Sequence, residues 1–254
     1  MIEKLLNRRS HRAFLETKID IKDIDLIKKI TLQAPTAGNL TLYSIIEVES
    51  QVIKDKLSVL CDNQKMISKA PHVWVFVADF HRWLKYFEYS NTEEKTNIPI
   101  RTPSLGDFHL AMQDTMIAAQ TSTIAIDELG YGSCYVGDII ENFEQVQELL
   151  NLPQHAVPAT MLIFGTPKKT LTEPRVRPDA ESIFFKDTYK EQTKEEIERT
   201  YSKHEEGARK SHTLPFDNTG TIADQFYLRK YSSEFMKEMN RSANVFLKKW
   251  CEKQ

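Results

Sequence analysis

The stretch that decides the fold is Asp107-Phe-His-Leu-Ala-Met-Gln-Asp114-Thr-Met-Ile-Ala-Ala-Gln-Thr-Ser-Thr-Ile-Ala-Ile-Asp127-Glu-Leu129. It has helical length, and no charge falls between Asp114 and Asp127. Apolar residues (Met116, Ile117, Ala118, Ala119, Ile124, Ala125, Ile126) lie on every side, with small residues interleaved. A helix that is apolar all round must be covered all round. It is therefore either the central core helix of the protein or part of a subunit interface, and periodicity alone does not separate the two.

Outward from this helix, strand and helix patterns alternate. Asp20 to Ala34 reads as an amphipathic helix, with Ile21, Ile24, Ile27, Ile30 and Leu32 at near-helical spacing and acidic residues early. It stops at Pro35, in the loop signal Ala34-Pro35-Thr36-Ala37-Gly38-Asn39. Tyr43 to Val48 reads as a strand and Gln51 to Leu60 as a helix. Val73 to Ala78 is almost wholly apolar, as befits a strand covered on both faces. Beyond the central helix come a glycine-rich segment at Gly130 to Asp138 with a turn at Tyr135 to Asp138, a helix at Phe143 to Leu150 and a strand at Ala159 to Phe164. Such alternation indicates an α/β or α+β domain. Lys186 to Lys210 is a charged helical stretch expected to form a solvated arm. Phe226 to Trp250 regains apolar residues and should dock.

Composition narrows the function. The 254 residues can bury a sizeable core, and 34 basic against 36 acidic residues leave no global field that favours nucleic acid or an anionic membrane. Three widely spaced cysteines, Cys61, Cys134 and Cys251, with no CxxC pair, argue against a disulfide framework and for a reducing compartment. Charges recur from Glu3 to Arg12, so the start of the chain does not resemble a signal peptide, and no stretch approaches the ~20 apolar residues of a membrane span. A cytoplasmic protein is the expectation.

The local chemistry is concentrated at the front. Arg8, Arg9, Ser10, His11 and Arg12 put three guanidiniums and a hydroxyl in five positions, a fork-shaped donor set suited to a phosphate monoester. The histidines show no metal-ligand spacing, and neither a GxSxG elbow nor a Walker loop is present. Gly130-x-Gly132 follows a helix and lacks the third glycine of a dinucleotide fingerprint. No nucleophile stands beside a base, so a cofactor is expected to carry any chemistry. The Pro35 to Asn39 loop offers amides and short polar groups, Gln64 a neutral amide for a heteroaromatic edge, and Tyr135 to Asp138 a close backbone approach to a flat ring. Glu173-Pro174-Arg175-Val176-Arg177 adds a late pair of guanidiniums.

Six motifs in order carry a resemblance: Arg-Arg-Ser-x-Arg at 8–12, Ala-Pro-Thr-Ala-Gly-Asn at 34–39, Asn-Gln-Lys at 63–65 followed by Ala70-Pro71, Gly-x-Gly-x-x-Tyr-Val-Gly at 130–137, Leu-Pro-Gln-His-x-x-Pro at 152–158, and Pro-Arg-x-Arg at 174–177. Together they resemble the FMN-dependent nitroreductase superfamily, in its branch of NAD(P)H-dependent flavin reductases and oxygen-insensitive nitroreductases. The resemblance implies a nitroreductase-like α+β fold: a mostly antiparallel sheet flanked by helices, a long buried central helix, a helical C-terminal extension and an intertwined homodimer. It implies an FMN-binding domain over 1–185 and the extension over 186–254.

By the same resemblance, Arg8, Arg9, Ser10, His11 and Arg12 meet the flavin phosphate and ribityl chain, with Arg175 a late phosphate contact. Thr36, Gly38 and Asn39 reach the flavin of the other subunit, Gln64 its ring, and Tyr135, Val136, Gly137 and Asp138 its face, while Arg241 helps hold the nicotinamide cofactor. Asp138 departs from a common glycine, Glu173 from a lysine and Thr41 from a glutamine. The implied activity is hydride transfer from NADPH or NADH through FMN to a small aromatic acceptor, a nitroaromatic, quinone or free flavin, with ping-pong kinetics and no catalytic side chain. A flavin store with little turnover, and a helical interaction module working through the charged arm, are the alternatives.

Overall fold

A computed structural model of the chain describes residues 1–169 and 175–253. It parts into two compact units, Met1–Thr172 with Glu238–Gln254, and Glu173–Lys237.

The first unit is built on four antiparallel strands, β1 (Tyr43–Glu47), β2 (His72–Asp79), β3 (Gly132–Val136) and β4 (Ala156–Gly165), in the order β1-β2-β4-β3. Its helices are α1 (Ile2–Leu6), α2 (Ile21–Thr31), α3 (Gln51–Leu60), α4 (Lys65–Lys69), α5 (His81–Tyr89), α6 (Thr92–Thr96), α7 (Leu105–Glu128) and α8 (Phe143–Leu149). The long stretch that opened the sequence is α7. Asp107 accepts from the Ser104 backbone amide at 2.9 Å and starts it; Gly130, at φ +87°, lets the chain leave it.

The apolar run of β2 is covered on both sides, as its sequence requires. Val73, Val75 and Val77 face one cluster with Leu57, Cys134, Val136, Met161 and Ile163. Trp74 and Phe76 face another with Ile24 and Ile27 of α2, Ala119 and Ile126 of α7, and Leu162 and Phe164. The β2–β4 register shifts between Phe76 and Val77, opposite Pro158, which has no amide to give to the ladder.

One expectation needs correction. The turn expected over Tyr135–Asp138 starts later, because Tyr135 and Val136 end a strand, Gly132–Val136, and the chain turns at Gly137–Ile140 as a 3-10 segment. Of the two readings of α7, cover all round within one chain is not met. Ala111, Thr115, Ala118, Ala119, Ser122 and Ile126 are buried, whereas Leu110, Met116 and Ile117 are about 40 % exposed.

In the second unit, helix α9 (Lys194–Lys210) is shorter than the charged stretch suggested, since Thr193 and Glu196 cap each other's amides and begin it there. α10 (Ile222–Phe226) runs into a π-helical turn at Tyr227–Tyr231. α11 (Glu234–Cys251) follows, and from Glu238 onward it belongs to the first unit. There Phe246 and Trp250 are buried with Phe143, Leu42 and Ala111. Ser242 Oγ donates to Ile140 O at 2.6 Å and accepts from the Phe143 amide at 3.0 Å.

Candidate functional site

The basic box is fixed by the open edge of β3. Ser10 forms a parallel bridge with Ser133, and the His11 amide donates to Ser133 O at 2.8 Å. Farther on, the Leu15 amide donates to Thr166 O at 2.8 Å, the Lys168 amide donates to Ala13 O at 3.0 Å, and Phe14 is buried. The apolar Ala13-Phe14 pair thus anchors a strap that carries the arginines along the sheet. The close approach requires Gly132, where a Cβ would stand 2.7 Å from the His11 ring and from Pro167.

An extended strap alternates its side chains. Burial pushes the Cys134 thiol up, and the positive charges of Arg12 and Arg8 oppose that shift. Arg8 also acts on Tyr135 and Asp127. Burial, reinforced by Arg9 and Arg8, lowers the His11 pKa and favours the neutral ring. Among the described residues, the guanidiniums of Arg8, Arg9 and Arg12 have no carboxylate within 4.0 Å, and no hydrogen-bond acceptor is found for them. Beside them Ser133 Oγ is buried without a partner. This is a set of strong donors held along one strand edge, the guanidiniums open to solvent and Ser133 Oγ buried without a partner.

The rest of β3 continues the site. Tyr135 OH donates to Gln120 Oε1 of α7 at 3.3 Å, Val136 is buried, and Gly137 is exposed with open space around it. The negative charge of Asp138 acts on both Cys134 and Cys61, which ties the Gly137–Ile140 turn to the neighbouring turn at 61–64. Asn142 Nδ2 reinforces that link by donating to Leu60 O at 2.7 Å. Gln64 stands there at the N-cap of α4; its backbone oxygen accepts from Ser58 Oγ at 2.9 Å, and its half-buried amide side chain has no partner among the described residues.

The other nominated residues lie elsewhere. The Thr36–Asn39 loop is a 3-10 turn pinned by Asp114 of α7, which is 2 % exposed and accepts from the Ala37 amide at 2.8 Å and the Leu42 amide at 3.1 Å. Thr36 Oγ1 accepts from the Thr41 amide at 2.9 Å, while Gly38, Asn39 and Thr41 have positive φ. Among the described residues, no hydrogen bond or ion pair links this loop to the basic box. Arg175 is exposed in the second unit, and Glu173 and Pro174 fall outside the described residues. Arg241 is bound within the first unit: it donates to Glu144 at 2.7 and 3.0 Å and to Glu238 at 2.8 to 3.0 Å. That clasp holds the Glu144 carboxyl down to about 2 and ties α11 to α8, which engages the guanidinium nitrogens a phosphate would need.

Three residues belong to the arrangement although the motifs do not contain them. Asp114 was visible only as a lone carboxylate within an apolar helix. Gln120 and Asp127 follow on the same helix; burial raises Asp127 to about 6 despite the charges of Arg8 and Lys4. No helix among the described residues is long and apolar enough to cross a membrane, and no group of metal-ligating side chains is found among them.

Known proteins share this fold. A profile of the nitroreductase family matches residues 5–166. The chain is 32 % identical to an FMN reductase (NADPH) of Bacillus subtilis over 188 residues, 74 % of each chain. It superposes on a crystal structure of a putative oxidoreductase from Bacteroides fragilis with a TM-score of 0.88 at 26 % identity, covering 99 % of this chain and 100 % of that one. The NfrA1 nitroreductase of B. subtilis gives 0.82 at 25 % identity, with 98 % of both chains covered. With its antiparallel sheet, long central helix and strapped basic box, the chain belongs to the nitroreductase family.

Proposed function

We propose that the protein is an FMN-dependent oxidoreductase that takes hydride from NAD(P)H and passes electrons to nitroaromatics, quinones or free flavins. The observation that carries this reading is the donor set on the edge of β3: three guanidiniums with no ion pair among the described residues, beside an unpartnered, buried Ser133 Oγ. Leaving Ser133 Oγ buried without a partner costs about 1–3 kcal/mol, and a phosphate monoester with a polyol tail supplies partners for it and acceptors for the guanidiniums. The residues present therefore fit the flavin. Arg8, Arg9, Arg12 and Ser10 would hold its phosphate and ribityl chain, and Tyr135 to Asp138 with Gln64 its ring system. When bound, FMN supplies a two-electron carrier that exchanges hydride at N5.

The chain's own part is to hold and to align. Rigid backbone hydrogen bonds between the strap and β3 fix the arginines before any ligand arrives, so little ordering entropy is lost on binding. No side chain at the site forms a nucleophile–base pair. The protein's contribution to rate is to place donor and acceptor against one ring, a proximity effect of about 7–11 kcal/mol in favourable cases. Enzyme names among the relatives favour turnover over storage.

A second copy of the chain completes this proposal. The exposed Leu110, Met116 and Ile117 on α7 form an apolar face that a homodimer would cover, and the partner's Asp114-pinned loop would then reach the flavin. Residues 1–185 would form the flavin-binding body and 186–254 the extension, and action in the cytoplasm accords with three free cysteines. Purified protein should carry one FMN per chain, bleach anaerobically with NADPH or NADH, and give parallel double-reciprocal lines as the acceptor is varied. Protein that takes up no FMN on reconstitution contradicts the reading.

A further inference from the structure

A second set of donors lies apart from the basic box, where the strap continues into α2. A cavity of about 240 Å³ is lined by Lys18, Ile19, Lys28, Glu47, Glu49, Lys54, Pro71 and His72, among others. We infer that this cavity binds a small oxyanion of the phosphate type, held by Lys54, Lys18 and His72.

Lys54 is the reason to look here. It is only 6 % exposed, and its ammonium donates to Ala70 O at 3.0 Å and Pro71 O at 3.2 Å. An ammonium has three protons; the third has no acceptor among the described residues. Burying a charge is costly unless it is paired, and two neutral carbonyls leave the charge uncompensated. Burial accordingly lowers the Lys54 pKa, and the nearby Lys18 lowers it further, while Glu49 opposes both.

His72 supplies a neutral donor. Its Nε2 accepts from the Ile19 amide at 3.0 Å and its ring stacks on Phe164 at 5.1 Å. Burial, with Lys54 and Lys18, brings its pKa to about 4, so the ring is neutral at ordinary pH. With Nε2 accepting, the single ring proton resides on Nδ1, which has no partner among the described residues. The charges around the cavity then count as follows: Lys28 and Glu47 neutralise each other at 2.7 Å, leaving Lys18 and Lys54 against Glu49. The cavity is net positive, Lys18, Lys54 and His72 are among the residues that line it, and it has room for a tetrahedral oxyanion.

The test titrates inorganic phosphate, in chloride buffer with excess FMN so that the flavin site is filled, into protein labelled with 15N-histidine. Phosphate should shift the His72 Nδ1 resonance saturably in the millimolar range. Lys18→Gln, a change at an exposed residue, should weaken the constant at least fivefold, and Lys54→Met should abolish it. Should K54M fail to fold, K18Q alone decides. The inference is overturned if His72 does not respond, if K18Q binds phosphate as the native protein does, or if Arg12→Gln removes the binding that K18Q leaves intact, since the ion would then sit in the basic box.

Discussion

At the scale of single residues, the carboxylate of Asp114 does what no local pattern announces. It takes the two amides of Ala37 and Leu42 into its oxygens from 77 and 72 positions away. Asp114→Ala leaves both amides without an acceptor, and should cost about 2–3 kcal/mol in urea unfolding. Asp127 gives the opposite case. Burial raises its pKa to about 6 from 3.8, so the proton is bound more tightly in the folded chain than in the unfolded one. Its contribution is therefore fully present below pH 4 and lost as pH rises through 6. Asp127→Asn should be neutral at pH 4 and raise stability at pH 8 by about 1–2 kcal/mol; equal effects at both pH values would refute the assignment. The arginines of the basic box could be read from sequence because their chemistry is local and repeated. Arg241 could not, since its two carboxylate partners are recruited partly by the packing of α11 on α8.

At the scale of elements, the strap and β3 act as one. Most helices and strands could be read because apolar spacing records which face is covered: α3 spans the predicted Gln51–Leu60, and β2 extends the predicted run by one residue at each end. β3 escaped because Gly132 weakens the strand signal, and the glycine is there for the His11 ring to pass. Gly132→Ala forces about 1–3 kcal/mol of overpacking on that contact. It should lower the melting temperature by several degrees and FMN occupancy at least tenfold, read by flavin absorbance after gel filtration. Full occupancy in a stably folded G132A protein would show that strap and site are independent.

At the scale of the whole molecule, the exposed face of α7 is what a single chain leaves unfinished. The sequence required cover on all sides, and the chain supplies it on one; the remainder is consistent with a second protomer. Ile117→Lys places a charge in that face, away from the core of its own chain. It should convert the proposed homodimer to a monomer by light scattering and remove FMN with it, whereas an unchanged mass would place the interface elsewhere.

The measurement that most directly tests the central claim is a comparison of FMN and riboflavin binding by the native protein and by R8Q/R12Q. The two ligands differ in the phosphate alone, and loss of two charge-assisted hydrogen bonds at about 1.5–3 kcal/mol each should weaken FMN binding at least 100-fold. Riboflavin affinity should hardly move, so that the double variant no longer distinguishes the two. FMN affinity that survives neutralisation of both arginines in a folded protein would contradict the account.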